Sequence, residues 1–142
     1  MLVDYRLGTI GPDLAKALLA HATFTATADH LNWLLTDLYT ESAVSLYGWM
    51  DNGAITGLIG IRQTAPQVAE ILHVAVAEGH RLQGVGRCMV EAVIDHHQLA
   101  QLIAETDQDA VDFYRRTGFA VTSLGHLYPG VERFLCTRTV AT

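Results

Sequence analysis

Between a strand-like apolar run and an amphipathic helix-like run, the chain places Arg81-Leu82-Gln83-Gly84-Val85-Gly86. So short a turn, carrying two glycines, requires a strand that feeds almost directly into a helix. The start of that helix leaves main-chain N–H groups without partners and carries partial positive charge, a combination suited to phosphate or pyrophosphate. Arg81 and Arg87 flank the turn and add formal charge. The R-x-x-G-x-G pattern therefore points to a phosphate-bearing cofactor, with a purely structural loop as the alternative.

The rest of the composition narrows the partners. A chain of 142 residues fits one domain, residues 1–142, with room for a sizeable core. Half of it is hydrophobic and 17% charged, which argues against disorder. Net charge is −6 with Lys16 the only lysine, so nucleic acid is not expected as a partner, and the few arginines carry more information than usual. No apolar run approaches the roughly 20 residues that span a bilayer, and no membrane partner is expected. Met-Leu-Val-Asp-Tyr-Arg does not read as a secretion signal, and Cys88 and Cys136 do not suggest a disulfide framework or a metal site. A reducing, cytoplasmic setting without a metal is the expectation.

Periodicity and turn chemistry give a mixed α/β order. Strands are expected over residues 2–7, 44–50, 54–62, 67–77, 100–105, 119–125 and 131–138. Pro12 suits the first turn of a helix reaching Ala22, and Thr27 caps a second through Tyr39, with Leu31, Leu34, Leu35 and Leu38 along one side. Asp51-Asn52-Gly53 marks a hairpin. The run Ala69-Glu70-Ile71-Leu72-His73-Val74-Ala75-Val76 is apolar on both faces, as a central strand is. The helix after the glycine turn reaches His97, with Val85, Met89, Ala92 and Val93 as its core stripe. Thr106 or Asp107 caps a short helix from Asp109 to Thr117, stopped by Gly118. The expected fold class is α/β of the α+β type: a mixed, mostly antiparallel sheet flanked by about four helices.

Two segments together resemble one family. Residues 68–90, Val-Ala-Glu-Ile-Leu-His-Val-Ala-Val followed by the glycine turn, look like the central strand and acyl-CoA loop of the GNAT superfamily of N-acetyltransferases. Ala110-Val111-Asp112-Phe113-Tyr114-Arg115-Arg116-Thr117-Gly118-Phe119 resembles that superfamily's helix ending in FY-x-x-x-GF. The likeness covers residues 65–120 by motif and the remainder by element order. It implies a splayed central strand pair and acetyl-CoA as cosubstrate. The pyrophosphate would be held by the backbone of Leu82, Gln83, Gly84, Val85, Gly86 and Arg87, with Arg81 beside it. Pantetheine would pair with the exposed edge of residues 72–76, including Val74, Ala75 and Val76, and the Val74 N–H would face the oxyanion. A side chain at Gly84 or Gly86 is expected to block the phosphates.

Aminolysis of a thioester needs a neutral amine, a stabilised oxyanion and a protonated leaving thiol. An alkylamine with a pKa of about 10.4 must lose a proton, so a general base is required. Glu70 is the candidate, four residues before Val74 and on the same face by the two-residue period; the alternative is a paired or solvated carboxylate. Tyr114 matches the family tyrosine and is the candidate acid for the departing thiolate, against a core tyrosine. His73 is expected to point opposite Glu70 as a hydrogen-bonded core residue. His96-His97, Arg115 and Arg116 suit helix-end electrostatics, Arg116 and Arg115 with a further option on the 3′-phosphate, and Cys88 reads as small core. Asp107 stands where the family often has asparagine, three residues before Ala110, and is read as a cap.

The acceptor is expected to be a small-molecule or peptide amine. Asp29, Asp37, Glu41 and Glu132 are acidic candidates for holding it, with Trp33, Trp49 and Tyr128 as apolar walls. A homodimer through the apolar C-terminal strand is also considered. The rival of another class is a non-catalytic acyl-CoA-binding sensor or interaction module, which needs neither the tyrosine nor the glutamate. A different nucleotide-binding domain would need G-x-G-x-x-G and alternating parallel strands, neither of which is found.

Overall fold

The computed structural model describes residues 1–23 and 25–140. Seven strands form one sheet in the order β1-β2-β3-β4-β5-β7-β6. They are β1 (Leu2–Asp4), β2 (Val44–Asp51), β3 (Ala54–Ala65), β4 (Val68–Val76), β5 (Gln101–Asp107), β6 (Ala120–Tyr128) and β7 (Val131–Thr139). Four α-helices accompany them among the described residues: α1 (Pro12–Leu19), α2 (Ala28–Thr36), α3 (Val85–His97) and α4 (Val111–Arg116). All neighbouring strands are antiparallel except β4 and β5. α3 forms the crossover between those two, as a parallel pair demands.

Apolar residues leave the sheet on both sides and form two cores. On one side Leu18, Leu19, Leu31 and Leu34 of α1 and α2 cover Leu46 and Leu58. On the other Val85, Met89, Val90 and Val93 of α3 cover Ile59, Ile61 and Leu102, with Tyr114 and Phe119 continuing the layer. β4 sends residues into both, which is why its sequence is apolar without alternation.

Several expected elements end earlier because polar groups compete for the backbone. The first strand stops at Asp4, whose carboxylate accepts from the Arg6 N–H and starts a 3-10 turn over Tyr5–Leu7. α1 ends at Leu19, not Ala22. Thr27 caps α2 by accepting from the His30 N–H, but α2 stops at Thr36, where the Thr36 hydroxyl donates to the Asn32 carbonyl. A separate 3-10 turn, Leu38–Thr40, then carries Tyr39 inward. The hairpin at Asn52 and Gly53 has φ of 50° and 80°, as a type I′ turn requires. Asp107 accepts from the N–H groups of Asp109 and Ala110 at 2.9 and 3.2 Å, so it caps the entry to α4.

One correction bears on function. Gly60 faces His73 across β3 and β4 while Ile61 faces Ile71, so Leu72 has no opposite number. That bulge inverts the two-residue period. Ile71 and Val74 pack towards α3, whereas Leu72 packs towards α1 and α2, and His73 meets Tyr39 on that side. Glu70 and His73 therefore share a face, and Val74 lies on the other, contrary to the unbroken alternation expected. The last strand, β7, is interior, between β5 and β6, and β6 forms that edge of the sheet.

The 3-10 turn that carries Tyr39 is tied down by one guanidinium. Arg6 donates to the carbonyls of Tyr39, Glu41 and Val44, at 2.7 Å for the latter two. Arg6→Ala leaves these carbonyls without their donor and is expected to cost about 1–3 kcal/mol, read by urea denaturation. A loss below 0.5 kcal/mol would show that water replaces the guanidinium at little cost.

Candidate functional site

β4 and β5 are paired over Val68↔Gln101, Ala69↔Leu102 and Glu70↔Ile103 and then part. β5 continues to Asp107 against β7, while the β5-facing side of β4 beyond Glu70 has no strand beside it. Main-chain groups do not stay unpaired at low cost, so this edge is left for water or a ligand to satisfy. Two clefts occupy it. One, of about 630 Å³, lies along Val74, Ala75 and Val76 and the following loop. The other, of about 470 Å³, lies between Ile71–Val74 and Glu105–Asp107. His21, Val74 and Phe113 line both, so the two meet at Val74.

The larger cleft gathers most of the residues expected to bind a phosphate-bearing ligand. Arg81, Leu82, Gly84, Val85, Gly86 and Arg87 line it, together with Arg116, which carried the option on the 3′-phosphate, and Thr117 and His80, which the sequence did not single out; Arg115 is not among the lining residues. Gln83 is not among the lining residues; its side chain donates to the Gly79 carbonyl and braces the loop. The loop winds tightly, with φ of 85° at Gly79, 63° at Leu82 and 83° at Gly84, where α3 begins. Leu82, 88% exposed, offers the cleft an apolar flank.

The glycines act for different reasons. At Gly84 a Cβ would meet nothing within 4 Å; glycine is favoured there by its left-handed backbone. At Gly86 a Cβ would sit 2.5 Å from Cε2 of Phe113, so glycine lets α3 and α4 pack together. Beside the expectation that a side chain at Gly86 would block phosphates stands a second reason for glycine there, a contact internal to the fold. Arg87 donates to the Arg116 carbonyl and closes the same junction, and Arg81 donates to the Val76 carbonyl at 3.2 Å.

Tyr114 lines the smaller cleft. It is 6% exposed, with the rings of Phe113 and Phe119 edge-on at 5.1 and 5.2 Å. Burial, with a lesser contribution from Cys136, raises its phenol well above the usual value, so it keeps its proton at neutral pH. Glu70, partly buried at the point where the strands part, lines neither cleft. His73 does line the smaller cleft, and its Nδ1 is 2.5 Å from the Tyr39 hydroxyl. Burial, reinforced by His30, pushes His73 down to about 4.

The acceptor residues singled out by type lie elsewhere. Glu41 is 3.8 Å from Arg62, Glu132 accepts from the Ser123 hydroxyl, and Trp49 packs against the α3-side core. Trp33 and Tyr128 are exposed at 47% and 63%, and Asp29 and Asp37 are exposed too. The smaller cleft instead offers Glu105, Asp107, Asp109 and Arg133. No composition signal marks these, because the pairing of β5 with β7 sets Arg133 opposite Asp107, with Glu105 and Asp109 two residues to either side. Cys88 is exposed and not core. His97 accepts or donates to the Tyr47 hydroxyl at 2.7 Å, and among the described residues no group of three or more His, Cys, Asp or Glu side chains is placed to hold a metal. No helix among them is long and apolar enough to cross a membrane.

The profile of the acetyltransferase (GNAT) family matches residues 10–119. An uncharacterized N-acetyltransferase in the lysA 3′ region of Bacillus methanolicus is 31% identical over 103 residues, covering 72% of this chain and 84% of that protein. Two solved structures superpose along nearly the whole chain. A GNAT family acetyltransferase from Elizabethkingia anophelis with acetyl-CoA bound gives a TM-score of 0.69 at 21% identity, covering 99% of this chain and 97% of the other. The ribosomal-protein-S18-alanine N-acetyltransferase of Escherichia coli gives 0.71 at 16% identity, covering 100% and 94%. At such identities the likeness is one of fold, including the mixed, largely antiparallel sheet.

The low value at His73 has a measurable consequence for stability. Its folded value of about 4 lies below the unfolded 6.5, so between them the unfolded chain takes up a proton that the folded chain refuses. Stability is whole above 6.5 and falls as pH drops towards 4, by up to about 3 kcal/mol from this group. Urea denaturation at pH 7 and pH 5 should show a smaller difference for His73→Gln than for the unaltered chain. An equal difference would remove His73 as its source.

Proposed function

The chain belongs to the acetyltransferase (GNAT) family, whose acyl donor is acetyl-CoA, and from that premise we propose direct transfer of the acetyl group to a primary amine of a small molecule or peptide. The observation that carries this reading is the parting of β4 from β5, with one cleft running to a positively charged helix start and the other to Tyr114. The two ends of a ternary complex would meet at Val74.

In this mechanism the pyrophosphate lies on the amides from Leu82 to Arg87, with Arg81 and Arg116 supplying further charge. Pantetheine runs along Val74, Ala75 and Val76 as a surrogate strand. The amine nitrogen attacks the thioester carbonyl carbon, and the carbonyl electrons move onto oxygen. The Val74 N–H donates to that oxyanion, a kind of contact that contributes about 10² to 10³ in rate. The oxyanion then collapses and the carbon–sulfur bond breaks, leaving an amide and a thiolate.

Two residues manage the protons. Glu70, standing outside the cleft linings, accepts the proton of the amine through water. Tyr114 donates a hydrogen bond to the departing sulfur. Its phenol holds the proton more tightly than a thiol of pKa about 8.5 does, so its contribution is stabilisation of the developing thiolate in the transition state. The peptide option draws support from the similarity in fold to a transferase that acts on an alanine of a ribosomal protein. A sensor without catalysis would have no use for the tyrosine beside the shared point at Val74.

Thiol release from acetyl-CoA across a panel of amines tests the reading. Tyr114→Phe is expected to lower kcat about 10²-fold; activity within twofold of the unaltered chain would remove Tyr114 from the mechanism. With Glu70→Gln, the acidic limb of the pH–rate profile should disappear along with most of the rate. A limb that persists unchanged would assign the proton to another group. Tight binding of CoA with no release for any amine would favour the sensor.

A further inference from the structure

Buried Tyr39 and partly buried His73 form a pair that the proposed chemistry does not use. Tyr39 is 3% exposed, and its hydroxyl sits over Gly60, where the absence of a side chain leaves it room. A hydroxyl hydrogen so buried needs an acceptor, and among the described residues the partner of Tyr39 is Nδ1 of His73. Burial raises the phenol far above its usual value and so keeps the proton on Tyr39. Nδ1 of the neutral imidazole is thereby the acceptor, and the ring hydrogen is on Nε2. Among the described residues Nε2 makes no hydrogen bond to protein, and His73 lines the acceptor cleft.

We propose that His73 determines acceptor specificity through its Nε2–H, binding a carbonyl or carboxylate oxygen that stands next to the reacting amino group. The inference rests on the acetyl-transfer reading above. An ammonium has no lone pair for Nε2–H, so the imidazole must pair with another atom of the acceptor. Arg133, in the same cleft, makes no ion pair among the described residues and is likewise a pure donor. The amino group of the same acceptor has Glu105 and Asp109 to donate to. An α-amino acid or a peptide N-terminus carries both complements; a plain alkylamine leaves the donors desolvated and unpaired. Tyr39 is the positioning residue, since it fixes which ring nitrogen carries the hydrogen.

The test compares an alanyl dipeptide with n-butylamine as acceptors. The unaltered chain is expected to favour the dipeptide in kcat/KM, and His73→Phe to reduce the ratio of the two values about tenfold, mainly through KM. His73→Gln, which keeps an amide N–H near the same place, should recover part of the ratio. Long-range proton–nitrogen NMR of the unaltered chain should find the Nε2–H tautomer, and Tyr39→Phe should release it to a mixture. A preference for butylamine, a ratio untouched by His73→Phe, or an Nδ1–H tautomer overturns the inference and leaves acetyl transfer standing. Failure to acetylate any amine overturns both.

Discussion

The rest of the structure depends on a shortage of backbone partners. Beyond Glu70 the β5-facing side of β4 has lost its neighbour, although the strand stays paired to β3 on the other side. A strand edge inside a protein is costly unless something lies along it. Three features accompany the separation: the bulge at Leu72 on the β3 side of β4, the Asp107-capped turn from β5 into α4, and Phe113 and Tyr114, which line the opening. Each is local, and their sum is a cleft whose wall is main chain. Such a wall reads an extended, amide-bearing ligand without caring about side chains.

Legibility in the sequence divided along the same line. Elements with strong local chemistry were readable: the Asn52-Gly53 turn, the Thr27 cap, Asp107 before α4, and the glycine turn before α3. The order and kind of all seven strands followed, as did most of the larger cleft. What escaped was long-range. Nothing in Ala69-Glu70-Ile71-Leu72-His73 signals that one residue will be left unpaired, yet that residue decides which side chains share a face. The helix expected to reach Tyr39 broke at Thr36 because a hydroxyl competed for a carbonyl, a choice that propensity does not resolve. The acidic and aromatic residues expected at the acceptor site belong mainly to the first helices and the last strands, whereas the cleft draws on Glu105 and Asp109 around the end of β5 and on Arg133 of β7.

The glycines illustrate how a correct residue can be selected for another reason. Gly86 belongs to the motif that suggests phosphate, but its missing side chain accommodates Phe113, one of the residues shared by the two clefts. Gly60 belongs to no motif and reads as a weak point in a strand. Its vacancy admits Tyr39, whose hydroxyl reaches Nδ1 of His73. The contact between those two side chains thus traces back to a side chain that is absent on the neighbouring strand.

The seam of three paired residues between β4 and β5 also has a mechanical meaning. With so short a stitch, the half-sheet carrying α1 and α2 and the half-sheet carrying α4 are joined by little main-chain bonding across the middle. Across that line the two halves are held to each other mainly by interlocking side chains, Ile59 and Ile61 on one half against Leu102 and Phe134 on the other, and only marginally by a shared ladder.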